Sequence, residues 1–71
     1  MQLQNNQSAS MFEERFIREQ ECREITGLSR TSRYEMEQEG RFPKRLKLNK
    51  RTVAWKLSDI RQWMKDLENE Q

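Results

Sequence analysis

The chemistry-bearing residues of this 71-residue chain are cations and hydroxyls rather than acid–base groups. Arg41, Lys44, Arg45, Lys47, Lys50, Arg51 and Lys56 follow one another with no acid between them, a local +7 inside a chain of net charge +2. Both flanks are acidic: Glu13 to Gly40 holds eight Glu against five Arg, and Leu57 to Gln71 holds four acids against two bases. A single-sign block of this density has the electrostatic footprint of a polyanion contact. A solvated charged face is the plainer alternative for the block taken alone. Upstream, Ser29-Arg30-Thr31-Ser32-Arg33 gathers two guanidinium groups and three hydroxyls. Arginine can pair bidentately with guanine, and hydroxyls serve phosphates or base edges.

Other chemistries find little to work with. The chain has no His, and its one cysteine, Cys22, has no partner for an internal disulfide or a zinc-finger spacing, which suits a reducing cytoplasm. Its two glycines are both explained by helix ends, leaving no glycine-rich phosphate cradle. The carboxylates are expected in water, without a pocket to tune them, so an enzyme, a cofactor or a small-molecule ligand is not expected. No stretch approaches the roughly 20 apolar residues that cross a bilayer, and Met1 onward lacks the apolar run of a signal peptide. The expectation is a soluble, cytoplasmic, nucleoid-associated protein.

The elements that must position these residues are short. Of the 23 apolar residues, 18 fall between Phe16 and Leu67, enough for a minimal three-helix core. Residues 1–12, rich in Gln, Asn and Ser, read as a disordered tail, and 13–71 as the folded domain. Phe16 and Ile17 suggest a brief strand or the lead into a helix over Glu19 to Thr26, with Cys22, Ile25 and Leu28 facing inward. Gly27 stops that helix and Ser29 caps the next, a turn of helix-turn-helix length. The second helix runs from about Arg30 to Glu39 and ends at Gly40; Pro43 then forces extended backbone. Leu46 and Leu48, and then Val53, Trp55 and Leu57, alternate with polar or small residues as strands do. Pairing Leu48 with Val53 and Leu46 with Trp55 would share one apolar face and leave a four-residue loop, Asn49 to Thr52. Ser58 is the expected cap of a last helix carrying Ile60, Trp63, Met64 and Leu67, with Trp55 and Trp63 in the core.

Helix, tight turn, helix, basic hairpin, helix is the order of a winged helix-turn-helix, a mainly α fold with a small β-hairpin. In that arrangement the front of the second helix and the hairpin tip reach one duplex. The recognition-helix candidates are Ser29, Arg30, Thr31, Ser32, Arg33 and Tyr34; the wing and its approach supply Arg41, Lys44, Lys47, Asn49, Lys50 and Arg51. Each has a blander role: Ser29 as a cap, Arg33 pairing with Glu37 one turn on, Tyr34 packed on the first helix.

The stretch Thr26-Gly27-Leu28-Ser29-Arg30-Thr31-Ser32, Tyr34, Glu39-Gly40-Arg41-Phe42-Pro43-Lys44, Lys47-Leu48, Trp55, Ser58-Asp59-Ile60 and Trp63 resembles the AlpA-type prophage regulators. These are related to phage excisionases and to the DNA-binding half of MerR-type regulators. The resemblance implies a β-α-α-β-β-α winged-helix fold, bacterial or phage origin, and action at promoters or prophage attachment sites. Arg33 departs from it, standing where such proteins commonly carry an aliphatic residue beneath the recognition helix. Either its stem covers apolar surface while the guanidinium reaches out, or the helix turns the charge toward DNA.

The expected function is sequence-specific double-stranded DNA binding by a transcriptional regulator. The alternatives are an excisionase or recombination directionality factor bending attachment-site DNA, and, in another class, a protein-binding adaptor or anti-repressor using the basic hairpin. Cooperative self-association on DNA and contact with an integrase or RNA polymerase are the further partners to expect; a membrane is not.

Overall fold

Two glycines and a serine punctuate the helical half of the computed structural model, which describes residues 14–71. The expected tail lies outside the described residues. Helix α1, Glu19–Thr26, closes where Gly27 adopts φ 75° and donates its N–H to the Arg23 carbonyl at 2.8 Å. That left-handed turn would strain any residue with a Cβ. The Ser29 hydroxyl accepts the Ser32 N–H at 3.1 Å and so caps helix α2, Arg30–Gln38. At the far end Gly40, φ 76°, donates to the Glu37 carbonyl and Arg41 to the Met36 carbonyl, the paired bonds of a Schellman closure.

Phe42 and Pro43 then lead into an antiparallel hairpin of β2, Leu46–Lys47, and β3, Val53–Lys56. The two-residue strand β1, Phe16–Ile17, pairs along the other edge of β3, giving the sheet order β1-β3-β2. Helix α3, Leu57–Glu70, follows β3 directly. The element order β-α-α-β-β-α is that of a winged helix-turn-helix. No described helix is long and apolar enough to cross a membrane.

The core gathers Ile17, Cys22, Phe42, Trp55, Leu57 and Ile60, with Ile25, Leu28, Met36, Trp63 and Met64 packed around it. Burying side chains of the size of Ile17 and Ile60 stabilises by about 1.5–3 kcal/mol each. Phe42 meets Trp63 edge to face, with centroids 4.9 Å apart. The Trp63 indole N–H donates to the Arg41 carbonyl at 2.9 Å, so α3 holds the chain just ahead of the hairpin.

Three expectations are corrected. The hairpin pairs Leu46 with Ala54 and Lys47 with Val53, one residue away from the expected register. Leu48 donates its N–H to Thr52, so the loop is Asn49-Lys50-Arg51, three residues, and the Asn49 side chain accepts the Arg51 N–H at 2.9 Å. A one-residue slip turns every side chain over, and Leu46 and Leu48 stand exposed rather than in the core. The physical reason is that β3 is covered on both faces. Its consecutive residues Ala54 and Trp55 are both buried, so alternation no longer marks a single inner face. Leu57, expected to end the strand, opens α3 instead. Ser58 does not cap α3 but lies inside it; its N–H and hydroxyl both donate to the Glu14 carboxylate, at 3.3 and 2.8 Å. A carboxylate from before β1 thus meets the positive end of the helix dipole. The Ser58 hydroxyl bond is the main cause that lowers the Glu14 pKa from its ordinary value.

Candidate nucleic-acid interface

The orientation of α2 is set by Arg33. Its side chain is 2% exposed, and its guanidinium forks onto Glu19 of α1, Nη1 to Oε1 at 3.0 Å and Nη2 to Oε2 at 2.5 Å. Nε donates to the Leu28 carbonyl in the turn at 3.1 Å, and the guanidinium carbon sits 5.4 Å from the centroid of the Trp55 ring. One side chain therefore ties α1, the turn, α2 and the central strand together. Burial is the largest single influence and works against its charge, but the hydrogen bonds it donates to Glu19, together with the attraction of Glu19 and Cys22, outweigh it and hold the Arg33 pKa above its ordinary value. The same bonds hold the Glu19 carboxyl below its own.

Arg33 is thus corrected as a DNA-contact candidate, since its charge is spent inside the fold. Neither expected placement applies: the guanidinium does not reach out past an apolar stem, and the helix does not turn it outward. Nor does it pair with Glu37. That carboxylate instead lies 3.8 Å from Arg45, at the foot of the hairpin.

Arg45 also stacks on Tyr34, 5.2 Å from the ring centroid. Tyr34 itself is exposed, as its role as a contact candidate requires and its alternative role, packed on α1, does not. Arg45 thus joins the outer face of α2 to the start of the wing, and it is the residue that the candidate list left out. Its membership of the basic block was the available signal; what singled it out, the aromatic ring and the acid from another element, is tertiary.

The remaining candidates sort by position. Arg30, Thr31 and Ser29 are exposed at the front of α2, while Ser32 is half-buried and accepts the Ser29 hydroxyl at 3.1 Å. Along the wing, Lys44, Lys47, Asn49, Lys50 and Arg51 are all exposed, and the four cations among them form no ion pair with any described acid. Arg41 is exposed as well but pairs with Glu39 at 3.3 Å. Among the described residues no group of His, Cys, Asp or Glu is arranged to hold a metal ion. Cys22 is fully buried, and desolvation raises its thiol pKa.

A helix-turn-helix locked by a buried arginine on a half-exposed glutamate, joined through a stacked arginine to a hairpin whose approach and loop carry cations that meet no described acid, defines a winged-helix module. Residues 15–67 match the family described as Prophage CP4-57 regulatory protein (AlpA), and the chain belongs to that family. Over 52 residues it is 40% identical to the uncharacterized protein ORF88 of Enterobacteria phage P4. That match takes in 73% of this chain and 59% of the phage protein's length.

Proposed function

We propose that this prophage regulatory protein binds double-stranded DNA with sequence preference, placing the front of α2 in the major groove and laying the β2–β3 wing along the phosphates. One observation carries the reading: Lys44, Lys47, Lys50 and Arg51 stand exposed and unpaired on a wing that Arg45 fastens to the outer face of α2. Cations left unneutralised on a small fold otherwise rich in ion pairs are suited to a ligand that brings its own negative charge. Arg30 and Thr31 supply base-edge donors and acceptors, and the α2 N-terminus adds its dipole to phosphate attraction.

Control of a promoter and bending of an attachment site would both use this surface; the family's regulatory description favours the promoter. Four wing cations on phosphates would give a slope of roughly −4 in log affinity against log salt. The test is fluorescence anisotropy on short duplexes, first a random sequence and then a site selected from the host prophage. Arg30→Ala should narrow the preference between these duplexes by about 1–3 kcal/mol. Lys50→Ala with Arg51→Ala should weaken both equally and flatten the salt slope by about 2. If neither variant alters duplex affinity, the wing serves a protein partner instead.

A further inference from the structure

By sequence the stretch ahead of the wing is acidic, but in the fold most of its acids are already spent. Glu14, Glu19, Glu21, Glu37 and Glu39 each pair with a cation, whereas Arg18, Arg23 and Arg30 are exposed and pair with no described acid. The bridge between Glu19 and Arg33 brings two of these arginines together. Arg23 stands four residues after Glu19 and shares its face of α1; Arg30 stands three residues before Arg33 and shares its face of α2. Each lies one turn nearer the Gly27-Leu28-Ser29 connection than the bridge does, so they flank it from the two helices. The electrostatics agree: the Glu19 carboxyl is held below its ordinary value first by the hydrogen bonds from Arg33, against desolvation, and then by attraction to Arg33, Arg30 and Arg23. With that carboxylate taken up by Arg33, two like charges are left unneutralised on one side of the helix pair. On α2 the row continues. Arg30, Tyr34 and Glu37 follow at i, i+4 and i+7 on one stripe, and Arg45 lies over Tyr34 and beside Glu37, where the wing begins.

We propose that Arg23 is a further DNA contact, a phosphate contact from α1 that extends the cationic row of Arg30, Arg45 and the wing along the duplex. The proposal rests on the DNA-binding reading and carries it onto the first helix, in the half of the chain that is acidic by sequence. An arginine pair left without a carboxylate has no ion-pairing use inside the fold, and a backbone phosphate supplies the missing charge. The kind of contact follows from position. Arg23 sits on the helix before the turn rather than on the one presented to the groove, so it meets backbone, and Arg30 keeps the base-edge role. Arg23 lines an open concavity with Glu19, Gln20, Glu24 and Gly27. Gly27 leaves that space open, with nothing within 4 Å of its missing Cβ. Glu24, the unpaired acid there, accepts the Gln20 amide at 3.3 Å and is the one charge that opposes an anion at this rim. A contact on α1 fixes how far α2 enters the groove, because the Arg33 side chain holds the turn and both helices as one body.

The test is fluorescence anisotropy on the random and the selected duplex over a series of salt concentrations. Arg23→Ala should weaken both by the same factor, about three- to tenfold near roughly 0.1 M salt, and flatten the salt slope by about 1 with base preference unchanged. Arg23→Lys should restore affinity to within about twofold, since a phosphate accepts either cation. The melting temperature of both variants should stay within about 4 °C of the wild type, as for an exposed side chain without partners. A scan of single methylphosphonates, each removing one backbone charge, should find a position that weakens the wild type but leaves Arg23→Ala unchanged, the mark of a direct pair. Unchanged affinity in Arg23→Ala, or a loss that no methylphosphonate position matches, would overturn the proposal and leave the proposed function standing. A narrowed base preference would also overturn it, by making Arg23 a base reader. Wild-type chains that bind neither duplex would refute the proposed function and this contact with it.

Discussion

Glu19→Ala should cost more stability than Arg33→Met, although the two residues form one ion pair. The asymmetry follows from burial. Arg33 is 2% exposed and the Glu19 side chain 40%, so removing the acid strands a charge inside, whereas removing the base leaves an acid able to turn into water. Breaking a buried pair by deleting one partner costs about 3–5 kcal/mol. Solvent already screens Glu19, which puts the loss at the lower end, about 3 kcal/mol. Arg33→Met removes the charge and its desolvation together and gives up the bond to the Leu28 carbonyl and the stack on Trp55. That loss is about 1.5 kcal/mol. The double variant should match Arg33→Met within about 0.5 kcal/mol, because no stranded charge remains, which makes the coupling energy about 3 kcal/mol. Urea titrations followed by circular dichroism measure all three; thermal melts should show Glu19→Ala lower by roughly 12–24 °C. Equal losses for the two single variants, or losses that simply add in the double, would refute a buried guanidinium as the element that locks α2 onto α1.

Acid should weaken the fold through the same group. Glu19 has a folded-state pKa below its ordinary 4.5, chiefly because Arg33 hydrogen-bonds to it, so in that window the unfolded chain binds more protons. Stability is then complete above the ordinary carboxylate value and is lost as pH falls through the folded one. Melting temperatures measured between pH 6 and pH 3 (about 0.5-unit steps suffice) should fall less steeply in Glu19→Ala/Arg33→Met than in the wild type. Arg45→Gln removes both the stack on Tyr34 and the pair with Glu37. That leaves the Glu37 carboxylate, whose side chain is only 9% exposed, without its cation. The variant should cost about 1–3 kcal/mol in a urea titration and lower duplex affinity on the order of tenfold by anisotropy, since the wing loses its tie to α2. At Gly40, φ 76° and open space around the missing Cβ mean that Gly40→Ala pays in backbone strain alone. About 1 kcal/mol, read from the same titrations, is expected.

What the sequence made legible, and what it hid, divides by distance along the chain. The stop at Gly27, the cap at Ser29 and the closure at Gly40 are decided within four residues, and each was readable because glycine and serine perform those tasks by local geometry. The winged-helix order follows from such local signals and stands as read. The hidden features join residues far apart. Glu14 reaches Ser58 across 44 positions, and Arg33 finds Glu19 across 14. The hairpin register failed for a related reason: strand alternation identifies the inner face only where one face is wet, and β3 buries both Ala54 and Trp55 on its opposite faces. Arg33 marks the boundary most clearly. The sequence shows an arginine where an apolar residue was expected, which is a conflict between local pattern and fold. Such a conflict is resolved by a partner from another element or not at all. Here the fork onto Glu19 resolves it, and the charge that seemed available to DNA instead fixes the angle at which Arg30 and Thr31 are presented.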